Sequence, residues 1–210
     1  MTGSAPAAAL PHPIAPEDRA RADLYALVSR LFASAPDAAF LAALGGAPEL
    51  PEPPDAPLPV AYNALLRASR AMDADAAARE YTDLYIGVGR SEVNLHASHW
   101  LTGFMMDKPL ADLRTALAEL GLERRAGTDL LEDHLAALAE VMRALIAGGE
   151  GRAPAPLSVQ RRFFDAWLAP WAFDCCAAIG ACSLANYYRP ASELSGAFLA
   201  IERDSLAIGQ

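Results

Sequence analysis

Apolar side chains recur three and four residues apart in one segment after another, and no stretch of the chain alternates apolar with polar. A period near 3.6 puts such side chains on one face of a helix, whereas a half-buried strand needs a period of two. A helix of this kind cannot bury its greasy face alone, so the helices must pack on one another. Residues 47–59, APELPEPPDAPLP, hold six prolines in thirteen positions. Proline lacks an amide donor and clashes with the preceding turn, so this run excludes a helix interior or a central strand and reads as an extended connector. The spacing elsewhere predicts an all-α, irregular single-domain bundle of about nine or ten helices over residues 16–210. A flexible Ala/Pro-rich tail is expected over residues 1–15.

The helices announce themselves by start and stop signals. Pro16-Glu17-Asp18 opens the first, with acids where the helix dipole favours them, and Leu24, Leu27, Val28, Leu31 and Phe32 make its inner face. Ser34 to Asp37 restarts a shorter helix that ends near Gly45-Gly46. A helix over about 59–73 carries Val60, Leu65 and Leu66, and another over about 75–86 carries Tyr81, Leu84 and Tyr85. The loop Gly87 to Asn94 and a short helix around 98–105 lead to Asp107-Lys-Pro109, a further start. Leu110, Leu113, Leu117 and Leu120 follow, stopped by Gly121. Asp129 with Glu132 resembles a capping pair before the stripe Leu131, Leu135, Leu138, Met142 and Leu145. Ser158 is placed as the N-cap of a helix with Val159, Phe163, Phe164 and Trp167 inward, and Pro170 breaks it. A small-residue helix with the cysteines comes next. The last helix, over about 191–206, uses Leu194, Phe198 and Ile201.

Charge and cysteine content exclude whole classes of function. With 17 basic and 26 acidic residues the net charge is −9, and no basic cluster offsets it. Such a chain is a poor partner for nucleic acid or an anionic membrane and suits a basic ligand. Cys175, Cys176 and Cys182 are odd in number and lack Cys-x-x-Cys spacing, so they form neither a disulfide framework nor a zinc site. The N-terminus lacks the basic start and apolar run of a secretory signal, and the longest apolar stretch, 166–181, is interrupted by Pro170 and Asp174. A cytoplasmic protein without stable membrane insertion is expected.

The residues that carry enzyme chemistry elsewhere are poorly arranged here. His96 and His99 are three apart, but no acid stands at metalloprotease spacing. Asp133 and His134 are neighbours, which point about 100° apart if they lie on a helix. Gly87-Val-Gly89 lacks the third glycine and the Lys-Ser/Thr of a phosphate loop, and no Gly-x-Ser-x-Gly occurs. The aromatic run Tyr81, Tyr85 and Trp100 admits ordinary core packing as a competing account.

Taken together, these segments resemble the TorD/DmsD family of redox-enzyme maturation chaperones over about residues 21–202. The pieces are the opening helix RADLYALVSRLFASAPD, Glu80-Tyr-Thr-Asp-Leu-Tyr85-Ile-Gly87, and Ala97-Ser98-His-Trp100-Leu. Glu132-Asp133-His134-Leu135, Trp167-Leu-Ala-Pro170-Trp171, Tyr187-Tyr188 and Phe198 to Glu202 complete the set. The resemblance implies a non-enzymatic chaperone with no cofactor of its own. Its partner would be the twin-arginine signal peptide or apo form of a molybdenum or tungsten oxidoreductase of the dimethyl-sulfoxide-reductase superfamily. Formate-dehydrogenase, dimethyl-sulfoxide-reductase and nitrate-reductase types are all open, with a lean to the first because Leu130-Leu131 and Val88 to Val93 depart from the family's better-known patterns. The client would be held before cofactor insertion or export, by a monomer or a domain-swapped homodimer hinged at the Pro-rich connector.

On that reading the peptide is expected in a groove lined by Tyr81, Leu84, Tyr85 and Trp100, with Ser98 beside it. Glu92 and Asp133 would meet the paired arginines, and His134 would position Asp133 or donate to a peptide carbonyl. Two other readings compete. One is a small metal-dependent helical enzyme using His96, His99, Asp133 and His134. The other is a structural subunit of an oxidoreductase complex.

Overall fold

The computed structural model describes residues 14–208 except 88, 125, 126, 128 and 150; most of the tail expected over 1–15 lies outside the described residues. Among the described residues the chain is all-helical, with ten α-helices and no strand. They are α1 (Pro16–Ala33), α2 (Ala38–Gly45), α3 (Pro57–Ala71), α4 (Ala74–Tyr81), α5 (Ala97–Thr102), α6 (Lys108–Glu119), α7 (Leu135–Ala147), α8 (Leu157–Trp167), α9 (Ala172–Ala181) and α10 (Tyr188–Ile208). One π turn, Thr82–Ile86, continues α4.

The local signals explain most of these boundaries. Asp37, Asp73 and Asp107 each cap a helix by accepting from a backbone N–H, of Phe40, Ala76 and Lys108 respectively. α3 begins at Pro57, inside the proline run, because the first-turn amides that proline lacks have no intrahelical acceptor anyway. Two expected starts are corrected. α8 begins at Leu157 behind Pro156, with no side-chain cap from Ser158. α7 begins at Leu135, so Asp129, Leu131 and Glu132 precede it, and the cap is His134. Ile201 is also not inward: it is exposed, and Leu199, Glu202 and Leu206 turn toward the core in its place.

α1 lies along α7, α10 packs on α9 and α3, and α2 packs on α3. Their buried faces join one apolar core that includes Tyr25, Phe32, Leu65, Leu84, Leu113, Leu138, Phe164, Trp171 and Phe198. Truncating one of its leucines to alanine costs about 2–5 kcal/mol, through lost burial and the cavity left behind.

One guanidinium, that of Arg21 on α1, ties three helices together. Glu202, only 1% exposed, receives the Arg21 guanidinium through two bonds of 2.7 and 3.0 Å. Arg21 also donates to Gln160 on α8 and to Asp18. Three further arginines close helix C-termini by donating to orphan carbonyls. Arg70 reaches Gly45 and Ala47 past α2, Arg152 reaches Leu120 and Gly121 past α6, and Arg189 reaches Gly180, Cys182 and Ala185 around the end of α9.

Candidate functional site

The aromatic segment is fixed by Glu80, the last residue but one of α4. Its carboxylate accepts from three successive amides at the start of α10: Asn186 at 2.8 Å, Tyr187 at 3.0 Å and Tyr188 at 2.9 Å. A helix N-terminus is an anion site, and here the chain fills its own. The π turn that follows closes with Gly87 N–H on the Thr82 carbonyl at 2.7 Å, one residue wider than an α turn. Gly87 has φ 64°, and a Cβ there would overlap the Arg90 carbonyl, so only glycine fits.

These constraints gather a ring cluster rather than an open groove. Tyr81 and Tyr85 meet edge-on at 5.2 Å, and both meet Tyr188, at 5.8 and 5.0 Å. Phe32 closes the group at 6.2 Å from Tyr85, and the Tyr81 hydroxyl donates to the Phe32 carbonyl. Burial raises the Tyr85 and Tyr188 hydroxyls far above the ordinary phenol range, so both stay protonated. Leu84 is fully buried, while Tyr81 and Tyr85 keep some surface.

The Asp133–His134 pair sits on a turn, and each residue holds the start of a different helix. Backbone bonds Ala97 N–H to the Asp133 carbonyl and Leu135 N–H to the Leu95 carbonyl lay this turn against residues 95–97. Asp133 Oδ2 then accepts from the Ser98 amide at 3.0 Å and the Ser98 hydroxyl at 2.6 Å, which caps α5. Its Oδ1 is buried with no partner among the described residues. His134 Nδ1 accepts from Ala136 N–H at 3.1 Å, which caps α7 and assigns the ring proton to Nε2.

Burial, together with the adjoining His96, pushes the His134 imidazole down to about 3. Burial also lowers His96, against the opposing pull of Asp133. The two rings meet edge-on at 4.9 Å as neutral groups. No hydrogen bond joins Asp133 to His134, and the Ser98 hydroxyl is committed as a donor. Among the described residues no three His, Cys, Asp or Glu side chains converge to hold a metal ion.

The accessible apolar surface lies one step further along. Asn94 organises it: its carbonyl accepts from the Trp100 indole at 2.7 Å, and its amide donates to Met105 Sδ at 3.2 Å. α5 stops at Gly103, φ 83°, and Met106 has φ 55°. That reversal strands Leu101, Phe104, Met105 and Met106 at 39, 70, 38 and 69% exposure. Large apolar side chains this open and this close in sequence are a recognised mark of an interaction surface.

The eight residues nominated from sequence therefore divide. Leu84, Ser98, Asp133 and His134 are interior, with Asp133 and His134 at most 3% exposed and committed to Ser98 and Ala136. Tyr81, Tyr85 and Trp100 are half-buried, and Glu92 is exposed. Sequence reasoning passed over Phe104, Met105 and Met106. The available signal was an apolar run between a helix-stopping glycine and the Asp107 cap.

A family model described as the nitrate reductase delta subunit matches residues 49–177. The chain belongs to the nitrate reductase delta subunit family. The resemblance to the TorD/DmsD chaperones falls within it, and its members are non-catalytic chaperones of molybdoenzyme assembly. No curated protein matches the chain. The matched span holds the connector from Glu49 on, the π turn, the exposed corner and the Asp133–His134 turn. It excludes α10, whose start receives Glu80. Among the described residues no helix is long and apolar enough to cross a membrane.

Proposed function

We propose that this chaperone acts in the cytoplasm, through one helical domain over residues 16–210, on the catalytic subunit of a molybdenum or tungsten oxidoreductase. It holds the apo form, or the twin-arginine signal peptide that precedes it, until the cofactor is inserted or export begins. The observation that carries the reading is the corner Leu101–Met106, an open apolar surface at the end of α5, whose start is held by Asp133 through Ser98 and whose Trp100 and Met105 are tied to Asn94.

An apo enzyme with an unfilled cofactor cavity exposes apolar chain, and a rigidly mounted patch of methionine and phenylalanine covers such chain without demanding one sequence. Methionine is suited to this because it re-packs easily. Nothing in the arrangement makes or breaks a bond.

Co-purification tests it. The full chain should capture the apo catalytic subunit and release it once the cofactor is loaded. Equal capture of the mature, active enzyme would instead make the chain a structural subunit. Replacing Phe104 and Met106 by alanine should reduce capture about tenfold while leaving the fold intact.

A further inference from the structure

The chain has five methionines, and the fold separates the four that lie among the described residues. Met142 is sealed in the core on the inner face of α7, and Met72 is half-buried against that core. Met105 and Met106 stand together at the corner, 38 and 69% exposed. A thioether reacts with a peroxide only where the oxidant reaches a sulfur lone pair, so burial ranks Met106 first and Met142 last. Met105 falls behind Met106 for a second reason. Its Sδ accepts from the Asn94 amide at 3.2 Å, which engages lone-pair density that the oxidant needs.

Two further observations single out this pair. The backbone does not account for a methionine at 106, since φ 55° is a left-handed conformation that glycine or asparagine adopts at lower cost. The competing sulfurs are also shielded. Cys175 and Cys176 are buried, and burial raises both thiols above their ordinary range, which leaves almost no thiolate to react. Cys182 is half-buried at the end of α9.

We propose that Met106 and Met105 form a reversible sulfoxidation site that switches the corner from capture to release. Hydrogen peroxide delivers one oxygen to Sδ: the O–O bond breaks, an S–O bond forms, sulfur gives up two electrons, and both protons leave with the other oxygen as water. A methionine sulfoxide reductase reverses the step with two electrons and two protons from a dithiol, which closes to a disulfide as the oxygen departs in water. The sulfoxide is polar, so the corner loses the two side chains that adapt most easily to apolar chain, and only Leu101 and Phe104 remain. The inference rests on the chaperone reading given above and concerns the regulation of the same surface.

The full chain is treated with graded hydrogen peroxide, and peptide mass spectrometry follows each methionine. Sulfoxide should form at Met106 first, then at Met105, with Met106 about tenfold faster than Met72 and Met142 slowest. Capture of the apo catalytic subunit should fall about five- to tenfold as the pair is converted, with the melting temperature unchanged. Methionine sulfoxide reductase with dithiothreitol should restore capture, whereas dithiothreitol alone should not. Recovery with dithiothreitol alone would move the effect to a thiol such as Cys182 and overturn the proposal. Met105→Leu/Met106→Leu, whatever its starting level, should capture equally before and after peroxide, while Met72→Leu should stay as sensitive as the wild type. Oxidation of Met72 or Met142 ahead of Met106 overturns the site. Undiminished capture by chains already carrying both sulfoxides overturns the switch and leaves the chaperone standing. Untreated chain that captures no apo subunit overturns the chaperone reading and the switch together.

Discussion

Two aromatic regions that look alike as sequence have opposite fates in the structure. Tyr81 and Tyr85 are drawn against Phe32 and Tyr188, because Glu80 pins their helix to the start of α10. Phe104 and Met106 are left in water, because Gly103 ends α5 in a left-handed turn and the next helix does not begin until Asp107. An aromatic ring therefore says little about recognition until its anchoring is known. The first region should govern stability and the second binding.

The contrast gives a ranked series of tests. Glu80→Ala leaves three amides at the start of α10 without their acceptor, those of Tyr187 and Tyr188 buried, and an expected loss of about 3 kcal/mol should appear as a clear drop in melting temperature. Binding per folded molecule should be unchanged; a variant that melts like the wild type would remove Glu80 from its place as the anchor. Next comes Gly87→Ala, which forces a side chain into the Arg90 carbonyl at φ 64° and should cost about 2–3 kcal/mol in chemical denaturation.

The third test uses acid. The folded His134 imidazole lies near 3, below its unfolded range, so the unfolded chain binds the extra proton and stability is lost as pH falls from about 6.5 toward 3. A loss of about 1–2 kcal/mol between pH 6.5 and 5 is expected, measured by denaturant midpoints. His134→Asn keeps an acceptor for Ala136 N–H and should flatten that slope. Smallest in stability is Phe104→Ala/Met106→Ala, which should shift unfolding by no more than about 0.5 kcal/mol. It is this pair that should weaken capture of the apo catalytic subunit. A large melting shift from it would collapse the distinction between the two regions.

The fold was legible because helical apolar spacing survives in nearly every segment, as with Leu110, Leu113 and Leu117 on α6. Proline and aspartate marked most starts. What was misplaced depended on distant partners. The start of α7 was assigned to Asp129 with Glu132 because their types suit a cap, yet the acceptor is a histidine ring nitrogen, which composition does not advertise. Asp133 looked like a surface acid, and its burial follows from Ser98, thirty-five positions away. The α10 start carries no local signal that anticipates Glu80, 106 to 108 positions upstream. The site was half legible: the segments were found, but which of their residues face outward is set by the π turn and the two left-handed residues at 103 and 106.

The arginines that close α2, α6 and α9 have a consequence for encounter rates. Their guanidiniums lie against carbonyl ends, and Arg21 is matched to Glu202, so these four of the 17 cations are held against the chain while their charge still counts in the net −9. The far field reaching a diffusing molecule follows that net charge and is negative. A cationic polypeptide would arrive faster than free diffusion alone allows, and added electrolyte would slow its arrival more than it hastens its departure.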